Sequence, residues 1–217
     1  MPARVRLIQS QADIRAGVRA LRRRCAVMRQ VHDIAGDPPI RRLQPGFEGL
    51  ARIVVGQQLS TASAAAIWAR FVSGVQPMTA AALVAASDDV LRGVGLSRPK
   101  IRTLRAMSTA VLDGLDLERL VHEDDDAVRE ALTTVSGIGP WTADIFLMFC
   151  LGRADSFAAG DLALQVAAQH AMALEARPRT EDLLVIAERW RPWRGVAAGL
   201  LWAYYKAVKE TGTKMPV

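Results

Sequence analysis

The 217-residue chain holds two cysteines, Cys25 and Cys150, and no Cys-x-x-Cys pair. A zinc site built on paired thiolates is therefore excluded, and so is the dense disulfide framework of small secreted domains. One disulfide is arithmetically open, but nothing else points to export. Residues 1–30 carry many arginines and no apolar core, so they do not read as a signal peptide. No apolar run approaches the roughly 18–20 residues of a membrane span. The three histidines, His32, His122 and His170, are scattered and form no metal set. Only four lysines occur, Lys100, Lys206, Lys209 and Lys214. No strand-like alternation persists and no internal repeat stands out. These absences leave an all-α globular chain, expected in a reduced cytoplasmic compartment.

What is present supports a core. Hydrophobic residues make up 51% and charged residues 23%, enough apolar material for one large domain or two small ones packed together. Lys and Arg total 28 against 22 Asp and Glu, a net charge of +6, which favours a polyanion over an acidic small molecule as partner.

Along the chain, Gln11 to Gln30 repeats apolar residues at Ile14, Val18, Leu21 and Cys25 and reads as one amphipathic helix. Arg22, Arg23 and Arg24 lie on it with Arg29 beyond, read as a solvated face. A Pro/Gly-rich linker holding Arg41 and Arg42 follows. Phe47 to Val55 predicts a helix, ending near Gly56, Gln57 and Gln58. Ser60 or Thr61 can cap the next, with Trp68 in the core. Short helices follow from Thr79 and Ser87. A glycine-punctuated turn, Leu91 to Lys100, then leads into a helix from Pro99 to about Leu112. Thr180 to Arg189 reads as a helix capped by Thr180, and Pro192 to Val208 as the last. Trp190 and Trp193 read as core.

The chain is organised around Thr133 to Asp161. A helix from Asp124 to Leu132 meets Ser136–Gly139, which carries glycines at 137 and 139. Pro140 then suits a helix start, and Trp141 to Leu151 is almost wholly apolar. The local pattern is helix, tight hairpin, helix. Gly137 and Gly139 can both take positive φ and admit another backbone closely. Their N–H groups, with the Thr142 hydroxyl, suit an anion such as a phosphate at the second helix's N-terminus. A plain αα-hairpin with glycines for close packing explains the same residues. Asp161 precedes another helical run and reads as its N-cap, ionised and able to stabilise a cation.

These residues together resemble the helix-hairpin-helix DNA glycosylase superfamily, whose Gly/Pro-rich loop ends in a catalytic aspartate. Val135–Ala143 (Val-Ser-Gly-Ile-Gly-Pro-Trp-Thr-Ala) and Asp155-Ser-Phe157 running on to Gly160-Asp161 look most like the 3-methyladenine DNA glycosylase II branch. Ile53–Ser60 (Ile-Val-Val-Gly-Gln-Gln-Leu-Ser) and Trp190–Trp202 add to the likeness, which spans about Phe47 to Tyr204.

The resemblance implies an all-α, two-lobed fold with the active site in the cleft between lobes. Residues 46–151 would form the central lobe with the hairpin, and 1–45 and 152–217 the terminal lobe. It implies a monofunctional glycosylase of base excision repair that flips alkylated purines out of double-stranded DNA and hydrolyses the N-glycosidic bond. Asp161 would be catalytic, and Trp141, Trp202, Ile145 and Leu162 would line the base pocket. Gln58 would plug the gap in the duplex, supported by Gln57, with Gly137, Gly139, Thr142 and Lys100 on phosphate. Backbone carbonyls of Thr133, Val135 and Ile138 would hold a monovalent Na⁺ or K⁺. No cofactor is required, and two cysteines exclude the four-cysteine iron–sulfur cluster of some relatives. Where strand-cutting relatives carry a lysine, this chain has Trp141. A monomer is the family's usual state, nucleoid-associated if bacterial. A non-catalytic DNA-binding module and a glycosylase for mismatched or oxidised bases are the competing readings.

Overall fold

The computed structural model describes residues 5–211. Among them the chain is helical throughout, with one isolated antiparallel bridge between Leu7 and Arg153. No helix is long and apolar enough to cross a membrane. The chain divides into two compact units: residues up to Arg42 together with those from Gly152, and Leu43–Leu151.

The terminal unit begins with α1 (Gln11–Arg24) and α2 (Ala26–Ala35). Ser10 and Asp13 form a reciprocal capping box, satisfying orphan N–H groups at the start of α1. The single helix expected over Gln11–Gln30 is in fact broken at Cys25, whose φ of −136° is extended. The apolar rhythm of Ile14, Val18 and Leu21 resumes in a new helix through Met28 and Val31, so side-chain periodicity alone hides the break.

The central unit holds α3 (Phe47–Gly56), α4 (Thr61–Gly74), α5 (Ala80–Ala85), α6 (Asp88–Gly93), α7 (Arg98–Leu112), α8 (Asp125–Thr133) and α9 (Pro140–Ile145). Ser60, Thr79 and Ser87 each accept a backbone N–H in the first turn of α4, α5 and α6. Leu50, Phe71, Leu83, Leu104, Met107, Leu132 and Phe146 are fully buried, each contributing roughly 1.5–3 kcal/mol by transfer from water. Trp68 joins this core. The apolar run after Trp141 is shorter as α-helix than expected: from Phe146 to Cys150 it widens into a π turn, closed by the Leu151 N–H on the Phe146 carbonyl at 3.1 Å.

The terminal unit is completed by α10 (Leu162–Ala171), α11 (Thr180–Ala187) and α12 (Arg194–Glu210). Helix α12 packs on α2 and α10. It also meets α1, where Gly17 permits close approach, since a Cβ would lie 2.7 Å from a Val196 methyl. Thr180 is the first residue of α11 rather than its cap. Arg179 takes the cap position, and Asp182 reaches back to accept its N–H at 3.3 Å. Trp190 and Trp193 are buried.

Candidate active site

In the terminal unit, Asp161 sits at the N-cap of α10 with extended dihedrals (φ −75°, ψ 122°). Its Oδ1 accepts from the Leu164 N–H at 3.1 Å and from the Trp202 indole Nε1–H at 3.0 Å. Two donors on one oxygen fix the carboxylate in place. Trp202 is half-buried on α12, with the Arg41 guanidinium 5.8 Å from its ring centroid. Thus the indole that resemblance placed as a base-pocket wall also holds the carboxylate.

The segment leading to Asp161 is tied down by side chains. Asp155 accepts from Arg191 Nη1 at 2.6 Å and from Arg194 Nε and Nη2, both at 3.2 Å, while its carbonyl accepts Arg194 Nε at 2.9 Å. Gly195 donates to the Ala154 carbonyl at 2.8 Å, and its missing Cβ would lie 3.0 Å from that oxygen. Gln165 Nε2 donates to the Ala159 carbonyl at 3.0 Å. The start of α12 therefore aligns both the loop and, two turns on, Trp202. Asp155 and Arg194 were missed as positioning residues, because a pair 39 apart in sequence leaves no local signal.

In the central unit, the hairpin joins α8 to α9. Gly137 takes φ +88°, and a Cβ there would fall 1.9 Å from Thr103 Oγ1 on α7. Gly139 differs from expectation: its φ of −101° is open to any residue, and nothing lies within 4 Å of where its Cβ would be. It is the N-cap of α9, and no side chain caps that helix. Pro140 occupies the helix start as predicted.

The polar residues placed near the hairpin are committed within the unit. Thr142 is only 2% exposed, and its hydroxyl accepts from Gln57 Nε2 at 2.9 Å. This bond ties the end of α3 to the first turn of α9, and the buried Thr142 hydroxyl does not stand open to a phosphate as expected. Lys100 Nζ donates to the Val55 carbonyl at 2.7 Å, in the last turn of α3, and burial lowers its pKa. It too holds the corner rather than projecting from it. Gln58 follows on that corner, exposed, with φ +56°. Left-handed backbone is uncommon outside glycine and marks a strained tip. Leu59, next to it, is 38% exposed.

Of the remaining pocket residues, Trp141 is half-buried, Ile145 is 5% exposed in the core of the central unit, and Leu162 is 53% exposed beside Asp161. Ile145 therefore offers little surface to a ligand. Among the described residues no group of three His, Cys, Asp or Glu could hold a metal ion. The described lysines lie on α7 and α12, and Lys214 falls outside the described residues.

Comparison with known proteins agrees with this arrangement. A family model for the HhH-GPD superfamily base excision DNA repair protein matches residues 51–193. The chain is 32% identical over 178 residues to DNA-3-methyladenine glycosylase 1 of Schizosaccharomyces pombe, covering 78% of this chain and 77% of that protein. It is 28% identical over 167 residues to DNA-3-methyladenine glycosylase 2 of Escherichia coli, covering 72% of this chain and 56% of that one. A solved structure of the S. pombe enzyme in complex with abasic DNA superposes with a TM-score of 0.82 at 26% identity, covering 92% of this chain and 99% of that one. The all-helical fold, the hairpin and the match over 51–193 meet in one conclusion: the chain belongs to the HhH-GPD superfamily of base excision DNA repair proteins, alongside the 3-methyladenine DNA glycosylases.

Proposed function

We propose that this protein is a monofunctional DNA glycosylase of base excision repair that hydrolyses the N-glycosidic bond of alkylated purines of the 3-methyladenine and 7-methylguanine type. The observation that carries the mechanism is the Asp161 carboxylate, held on one oxygen by Leu164 N–H and Trp202 Nε1–H. As the bond to the base breaks, the sugar becomes cationic and oxocarbenium-like. A carboxylate already oriented beside it stabilises that charge without reorganising. The same group orients or partly deprotonates the attacking water.

A base inside a duplex is out of reach, so the nucleotide must be extruded. The hairpin at Gly137–Gly139 grips the backbone, and Gln58 on its left-handed corner fills the vacancy. Trp141 and Trp202 stack on the electron-poor base, which π faces attract. An alkylated base leaves easily, so one fixed carboxylate is sufficient machinery. Carbonyls of Thr133, Val135 and Ile138 would hold a monovalent cation at the hairpin. Val135 O accepts Ile138 N–H at 3.0 Å, but a carbonyl has a second lone pair to offer. No chemical step passes through that ion. The work would be done where the DNA is, in the cytoplasm and at the nucleoid if the source is bacterial.

Purified protein incubated with methylated duplex DNA should release 3-methyladenine as free base. Release of oxidised or mismatched bases alone would replace the substrate class, and tight binding without release would leave a DNA-binding module. Strand cleavage needs an amine to form a Schiff base with the sugar. Trp141 offers none, so borohydride should trap no protein–DNA adduct and nicks should appear only after alkali.

A further inference from the structure

The arginines of α1 and α2 do not lie as a simple solvated face. Arg19, Arg22, Arg23 and Arg29 line one concavity of about 310 Å³, several times the roughly 30 Å³ that a water molecule takes up in the liquid. The break at Cys25 folds Arg29 back against α1. Its Nε and Nη2 donate to the Arg22 carbonyl at 3.3 and 3.1 Å, and Arg22 Nη1 donates to the Arg29 carbonyl at 3.3 Å. Arg22 also meets His32 Nδ1 at 2.7 Å and pairs with Asp33, while His32 Nε2 meets Asp37 at 2.8 Å. Asp33 and Asp37 are thus spent on Arg22 and His32. Among the described residues no carboxylate pairs with Arg19, Arg23 or Arg29.

Helix polarity accounts for part of this. Cations in the last turn of a helix are favoured, which explains Arg22, Arg23 and Arg24, and Arg24 is used on the Arg191 carbonyl at 3.3 Å. It explains neither Arg19, a turn earlier, nor Arg29 across the break. Three guanidinium groups without a carboxylate partner around one concavity make a site complementary to an anion.

We propose that this arginine cradle binds the phosphodiester backbone of duplex DNA, as a second grip carried by the terminal unit in addition to the hairpin of the central unit. Guanidinium forks match pairs of phosphate oxygens, and only arginines line the concavity, so it reads charge and no sequence. The inference rests on the glycosylase reading only for the choice of DNA as the polyanion.

The test is an Arg19→Gln/Arg23→Gln double variant of the whole chain. Both side chains are exposed, and neither belongs to the Arg22–Arg29 clasp or to the excision machinery. Affinity for an undamaged duplex should fall several-fold at low salt. The slope of log K against log salt should shallow by about 1–2, as expected for one or two lost phosphate contacts. Base release at saturating DNA should stay at the parent rate, and Arg19→Lys/Arg23→Lys should restore the slope. Unchanged affinity and slope in a variant with parental circular dichroism and Tm would overturn the proposal. So would a loss of affinity for heparin but not for duplex DNA. If the parent releases no base, the glycosylase reading fails, while the salt slope still decides the cradle.

Discussion

Two loops in this protein deliver the chain into a helix N-terminus, and they do so in opposite ways. At α10 the entry is closed by a side chain: Asp161 caps the first turn, and Trp202 holds the same oxygen. At α9 the entry is left without a side-chain cap, at a glycine whose Cβ position is empty for 4 Å around. The first loop spends helix donors to fix an anion of its own. The second leaves its entrance clear, as the proposed grip on a phosphate would need. Their stiffness differs in origin too. The Asp161 loop is braced by the Asp155–Arg191–Arg194 ion pairs, the hairpin by the fit of Gly137 against Thr103. Under the proposed function, carrying a charge to a reacting sugar and gripping a charged backbone would be built from the same element with the cap present or absent.

The comparison breaks most visibly if the charge at α10 is removed while the cap is kept. Asp161→Asn retains an oxygen for both Leu164 N–H and Trp202 Nε1–H, so folding and duplex binding should be near parental. Base release should fall by at least ~10²-fold, the scale of a lost preorganised electrostatic contact. Near-parental release by the folded variant would remove Asp161 from the mechanism. Trp202→Phe is the next step down. It keeps an aromatic face but removes the indole donor, and a hydrogen bond to a charged group is worth about 1.5–3 kcal/mol. Single-turnover release should drop about tenfold or more with the Leu164 cap intact, while a change confined to KM would leave Trp202 as a pocket wall only.

The opposite experiment closes the open entrance. Gly139→Asp meets no neighbour and no strained φ, so the new carboxylate can cap α9. Stability should rise by roughly a few tenths of a kcal/mol in urea titration, since glycine is already a fair N-cap. Affinity for any duplex should fall about tenfold, because a fixed negative charge now stands where the phosphate would bind. Gly139→Ala separates charge from bulk and should lose less. A Gly139→Asp protein that binds DNA as well as its parent would make the hairpin structural.

The two glycines also show where sequence reading stops. Pro140 starting α9, Asp161 capping α10 and the helix starts near Ser60, Thr79 and Ser87 were legible, because each is decided within four residues. Gly137 and Gly139 look equivalent in sequence, and only one needs positive φ; the difference is Thr103, 34 positions away. The bonds that assemble the candidate site are longer still. Trp202 reaches Asp161 across 41 residues and Gln57 reaches Thr142 across 85, and no local periodicity encodes either. Resemblance named Trp202 and Gln57 but not these partners, since a motif carries positions and not hydrogen bonds. The break at Cys25 was invisible because apolar spacing continues through it, and with it went the convergence of Arg29 on α1.

The smallest expected effect is at Gln58, where both loops' logic is absent and the backbone itself is strained. Lys100 on Val55 and Gln57 on Thr142 fix the corner from either side, leaving Gln58 exposed at φ +56°. Glycine adopts that conformation without the Cβ clash, at the cost of a freer unfolded chain. The two terms oppose, so Gln58→Gly should stabilise the fold by at most about 1 kcal/mol, read as a small rise in urea midpoint. If the side chain fills the place of an extruded nucleotide, release of 3-methyladenine should slow while binding to undamaged duplex barely changes. A variant that is both more stable and fully active would reduce the left-handed corner to a turn. One that is less stable would mean that Gln58 makes contacts which outweigh its strain.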